Sequence, residues 1–181
     1  MNITSIRPYW ANCFLLTLPV LIWNLILTTK LPPAYQPNVF GHSIPPWITY
    51  GETTFRSIVF LLALLMPLGL ATDTQKKGLF LYTIGLLAYF ASWVPLIYFP
   101  ASSWSQSWPG FMAPAYTPFV WLTGIGFIGH SFSINLRFHR WYFLLMALLF
   151  ILFHTLHTYL IYSRVHGSTL QSLYSTNWLI Y

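Results

Sequence analysis

Residues 141–162 read WYFLLMALLFILFHTLHTYLIY. This stretch has no carboxylate, lysine or arginine. It exceeds the roughly 20 largely apolar residues that a helix needs to cross a bilayer. It is apolar all round rather than in alternation, so it reads as a spanning helix and not as a barrel strand. Its second half carries His154 and His157, whose i, i+3 spacing puts both rings on nearly one helical face.

Working outward, four further segments have the same character: residues 9–28, 55–71, 78–99 and 115–136. The expected architecture is therefore all-α, a single membrane domain over residues 1–181. It consists of five transmembrane helices and an outer tail over 163–181. The composition agrees. Charged residues are 6% of the chain, against about 25% in an ordinary soluble domain, and the mean hydropathy is +0.61. The hydrophobic share of 56% excludes a disordered chain. The single Cys13 excludes an intrachain disulfide framework. The first segment contains Pro19, Trp23 and Asn24 and lacks a small-residue cleavage site, so it reads as a retained helix rather than a signal peptide. No lipidation motif is visible in the sequence.

The net charge of +6 is topological in this reading. The cations are scattered between the spans, and a nucleic-acid partner is not expected. Five spans place Arg7, Lys76, Lys77, Arg137 and Arg140 on one side, and Lys30, Arg56 and Arg164 on the other. The positive-inside rule then puts the N-terminus in the cytoplasm and the C-terminus outside, in a cell membrane of the bacterial inner-membrane type. The outer connections are long and rich in Pro, Trp and Tyr, which suggests a structured cap with a short interfacial helix near residues 170–179.

Only two acidic side chains exist, Glu52 and Asp73. Asp73 reads as a cap of the third span. Glu52 lies four residues before Arg56, a spacing that pairs them on one helical face at the outer mouth of the second span. Ionisable groups at membrane depth are costly and tend to mark sites. The candidate ligand-binding set is accordingly Glu52, Arg56, His154, His157 and Tyr162. The bland alternative is an interfacial ion pair and two histidines that bond neighbouring helices. A metal site from His154 and His157 with His42 or Glu52 is a minor alternative; no cofactor is assigned. Gly124, Gly126 and Gly129 match G-x-G-x-x-G, but inside a span. They read as close-packing glycines and not as a dinucleotide motif.

Three stretches resemble small multi-pass bacterial membrane proteins of unknown function: Glu52-Thr53-Thr54-Phe55-Arg56 running into Leu65-Met66-Pro67-Leu68, Trp93-Val94-Pro95-Leu96-Ile97-Tyr98, and Ala113-Pro114-Ala115-Tyr116-Thr117-Pro118. The resemblance implies a multi-pass fold and no particular activity. The tryptophan-rich sensory protein family shares five spans and a Pro/Trp-rich first loop, but its Trp-Asn pattern in the middle spans is not visible, so its ligands are not carried over.

The functional expectation is a binding or accessory protein with an outward-facing polar pocket for a lipophilic or anionic small molecule, such as a lipid or isoprenoid. A His-dependent metal or redox enzyme is one alternative. A structural subunit with a membrane-protein partner is another.

Overall fold

The computed structural model describes residues 11–134, 137 and 139–177, leaving aside the side chains of residues 38 and 168–177. The described elements are all helical. A 3₁₀ turn, Cys13–Thr17, runs into α1 (Leu18–Leu27). A second, Pro33–Tyr35, precedes the short α2 (Pro37–Phe40). Then come α3 (Pro46–Leu65) and α4 (Asp73–Tyr98). Four shorter pieces follow, α5 (Ser103–Gln106), α6 (Trp108–Phe111), α7 (Ala113–Tyr116) and α8 (Pro118–Ile128). The last element is the 38-residue α9 (Arg140–Asn177).

Three helical segments are long and apolar enough to cross a membrane: Pro46–Leu65, Asp73–Tyr98 and Arg140–Gly167. Cys13–Leu27 is a shorter apolar segment. Apolar side chains such as Leu25, Phe80, Leu87 and Leu152 are exposed on these helices, a distribution compatible with a lipid bilayer.

Proline explains where the helices depart from the expected spans. The second begins at Pro46 rather than residue 55, because proline at the first turn forfeits no hydrogen bond. It stops at Leu65 rather than residue 71. Met66 is extended (φ −92°, ψ 112°), as a residue before proline must be. Glu52 and Arg56 thus lie inside the helix and not at its mouth. The fourth expected span is not one helix. Pro109, Pro114 and Pro118 each open a new short piece, and the backbone leaves the helix at Gly129 (ψ 135°). The expected interfacial helix over 170–179 is absent as a separate element through Asn177, because α9 continues unbroken to that residue. Residues 178–181 lie outside the described residues. Pro95 is the one proline within the interior of a described helix. Asp73 is not the cap of α4. Thr72 is, its hydroxyl accepting from Gln75 N at 3.3 Å while Gln75 Oε1 accepts from Thr72 N at 3.0 Å. Asp73 follows as a first-turn acid paired with Lys76 at 3.6 Å.

The core is built from two helix pairs. Helices α4 and α8 approach closely through glycines. A methyl on Gly124 would lie 2.6 Å from Tyr82 Cα, and one on Gly78 would lie 2.9 Å from Gly124 O. The other two glycines of the motif serve different neighbours, Gly126 facing Leu144 of α9 and Gly129 facing Met66. The packing reading of that motif is therefore the one the fold uses. Helices α3 and α9 form the second pair. On α3 the buried positions are Ile48, Glu52, Val59 and Ala63. On α9 they include Phe143, Ala147, Ile151, His157, Thr158 and Ile161. Both sets recur at helical spacing, so each helix turns one stripe inward. Glu52 and His157 sit in those stripes where leucine or alanine would be ordinary.

Candidate functional site

Gly51 and Phe153 set the approach of the two polar stripes. The Phe153 ring lies where a Cβ of Gly51 would be, within 2.6 Å of its Cζ. The ring also stacks on Phe55 at 5.5 Å and meets Trp47 edge-on at 6.1 Å. With Phe153 seated on the glycine, the next residue on each helix comes into register. Glu52 then faces His154 and, one turn on, His157.

Glu52 is buried and makes three polar contacts. Its Oε1 lies 3.1 Å from His154 Nδ1 and 3.7 Å from Arg56 Nη1, and its Oε2 lies 2.6 Å from His157 Nδ1. The second nitrogen of His157 donates to the carbonyl of Phe40 at 2.9 Å. That carbonyl belongs to the last residue of α2, a helix of one turn, so it has no partner within a longer helix. The Phe40 ring also covers His157, with centroids 4.5 Å apart.

This geometry counts a proton. Both His157 nitrogens face oxygens that ordinarily accept. Nε2 must carry a hydrogen to reach Phe40. One further proton then lies on the 2.6 Å line to Glu52, either as an imidazolium facing a carboxylate or as a carboxyl facing a neutral ring. A buried charge is tolerated only when paired in this way.

His154 differs from its neighbour. Its Nδ1 is held by Glu52, Phe150 stacks on the ring at 5.6 Å, and no hydrogen bond reaches its Nε2 among the described residues. His154 lines two adjoining cavities of about 310 and 200 Å³. The larger adds Arg56, Thr17, Phe60, Trp121 and Phe150; the smaller adds Leu31, Tyr35, Phe40, Trp93 and Thr158. Asn24 and Tyr89 line both, and the Tyr89 hydroxyl donates to Asn24 Oδ1. The hydroxyls of Thr17 and Thr158 donate to the Phe14 and His154 carbonyls of their own helical turns, at 2.7 and 2.9 Å. They are not poised as nucleophiles toward His154.

No protein-family model matches the chain, and no curated protein or solved structure is found to match it.

Four of the five expected site residues, Glu52, Arg56, His154 and His157, come together. Tyr162 does not join them. Its hydroxyl donates to the Gln106 carbonyl at 3.3 Å, and its ring packs on Phe111 and His166. Eight residues separate it from His154, which is about 12 Å along a helix. His42 is also elsewhere, its Nδ1 lying 2.7 Å from Ser43 Oγ. Among the described residues, no group of three or more His, Cys, Asp or Glu is arranged to hold a metal ion. His130 lies near the opposite end of the helices, 3.1 Å from Gln75 Nε2. Reading the sequence missed Asn24, Tyr89 and the Phe40 carbonyl. Asn24 had a visible signal, a lone amide in an apolar run. The other two had none, since tyrosine is abundant here and every residue has a carbonyl.

Proposed function

We propose that this protein binds an anionic amphiphile, a lipid or isoprenoid with an acidic head, in the cavity beside Arg56 and His154. The observation that carries this reading is that both side chains touch Glu52 and also line the 310 Å³ cavity. Glu52 holds the two in place from behind, and Arg56, 45% exposed, takes the head group. His154 Nε2 supplies a further hydrogen bond. Val20, Leu21, Phe60, Trp121 and Phe150 form an apolar wall for the chain. The volume falls at the lower end of the range usual for small-molecule sites, about 300–1,000 Å³.

In this reading the protein crosses the membrane five times. Cys13–Leu27, α3, α4, the α7–α8 string and α9 are the spans, with the N-terminus in the cytoplasm. The alternating direction of consecutive helices and the excess of cations at the Arg140 end support it.

Native mass spectrometry of the gently extracted protein tests the binding reading. One acidic lipophilic adduct is expected on the wild type and lost in Arg56→Gln. A wild-type protein that carries none, or an adduct that Arg56→Gln retains fully, refutes it. A co-purifying protein subunit in place of a small adduct favours the structural-subunit reading.

A second reading has an observation of its own. A histidine held at Nδ1 by a carboxylate, with Nε2 unpartnered beside a cavity, is the arrangement of a general base. If the bound amphiphile is turned over, His154→Gln abolishes turnover while leaving the adduct in place.

A further inference from the structure

The two acidic side chains of this protein are both engaged, Glu52 by Arg56 and the histidines, and Asp73 by Lys76. Neither reaches Lys77 or Arg140, and these two cations line one cleft of about 470 Å³ together with Thr74, Leu81 and Phe127. The cleft lies at the opposite end of the helices from His157. There α4 and α9 both begin, so the positive ends of two long helices add to the two side-chain charges. Arg140 lies over the Phe127 ring at 5.6 Å, which places its guanidinium at the rim of an apolar floor.

We infer that this cleft is a second ligand site, for a phosphate-bearing head group of net negative charge. Like-charged groups gathered around a cleft whose own lining holds no carboxylate call for an anion from outside the chain. Lys77 and Arg140 contact the phosphate oxygens, and Thr74, which also lines the cleft, offers a hydroxyl beside them. A continuous stripe favours a lipid as the source of that phosphate. From Lys77 the same face of α4 carries Phe80, Ile84 and Leu87, spaced at i+3, i+7 and i+10, and all three are exposed. An acyl chain laid along them covers that stripe while its head occupies the cleft. This site shares no residue with the Arg56 cavity, and its existence does not depend on the reading given above.

The test uses the full-length protein in phosphatidylcholine vesicles that contain a photoreactive phosphatidylglycerol, followed by peptide mapping. Labelling is expected on the first turns of α4 and around Phe127. It should fall about tenfold in the Lys77→Gln, Arg140→Gln double variant. The charge-preserving Lys77→Arg, Arg140→Lys variant should restore most of it, which separates loss of charge from loss of folding. Excess unlabelled phosphatidylglycerol should compete, and excess phosphatidylcholine should not. Displacement of the probe by inorganic phosphate at equal concentration overturns the lipid assignment and leaves a free-phosphate site. Labelling unchanged in the double glutamine variant overturns the site itself.

Discussion

Glu52 contacts three nitrogen-bearing side chains, and the consequences of changing it differ by atom. Glu52→Gln keeps one oxygen that accepts from His157 and loses the partner of Arg56. Glu52→Ala leaves a buried imidazole with no acceptor at Nδ1, and breaking a buried pair in this way costs about 3–5 kcal/mol. Chemical denaturation in mixed micelles should therefore rank wild type above Glu52→Gln and Glu52→Gln above Glu52→Ala. If Glu52→Ala proves as stable as wild type, the pairing is not structural. At this scale much of the site was legible. A carboxylate four residues before an arginine, and two histidines three apart, are scarce features in an apolar chain, and scarcity drew attention to them. The Phe40 carbonyl was not legible, because its role comes from the end of a one-turn helix that nothing in the local sequence announces.

The helices show why glycine and proline decide more than hydrophobicity does. Along α8, Gly124 meets the backbone of α4, which cannot move aside, while Gly126 meets the end of the Leu144 side chain, which can. Alanine gains roughly 1 kcal/mol of helix propensity over glycine at either position. At Gly126 that gain offsets a small adjustment, and Gly126→Ala should be near neutral. At Gly124 the clash forces the helices apart, and overpacking of this kind costs about 1–3 kcal/mol. Thermal unfolding of the two single variants, read by circular dichroism, checks the ranking; equal effects would mean that the α4–α8 spacing is not set by glycine. The same reasoning accounts for the fourth expected span. Residues 115–136 are apolar enough to be one helix by composition. Yet Pro118 starts a new piece, and Gly129 ends it where Met66 occupies the space a side chain would need. Hydropathy measures the solvent a segment tolerates and carries no information about where its backbone breaks.

Across the whole molecule, charge is arranged by end. Lys76, Lys77 and Arg140 gather where α4 and α9 begin, whereas Lys30 follows α1 at the other. Single cysteines placed at Lys30 and at Lys77, in a Cys13→Ser background, should label with a membrane-impermeant maleimide from opposite faces of sealed vesicles. Labelling of both from one face would overturn the five-span topology. Composition, apolar runs and the paucity of acids determined by themselves that the protein is helical, with helices long and apolar enough to cross a membrane. They also selected Glu52, Arg56, His154 and His157, because a polar group in an apolar stripe stands out without any partner being known. Only the tertiary structure decided that these four meet, that Tyr162 packs elsewhere on Phe111 and His166, and that Asn24 and Tyr89 line both cavities beside His154. The reason is physical. Helical spacing places residues on a face, but the rotation and depth of one helix against another are set by contacts such as the Phe153 ring on Gly51, which join residues about a hundred positions apart in the chain.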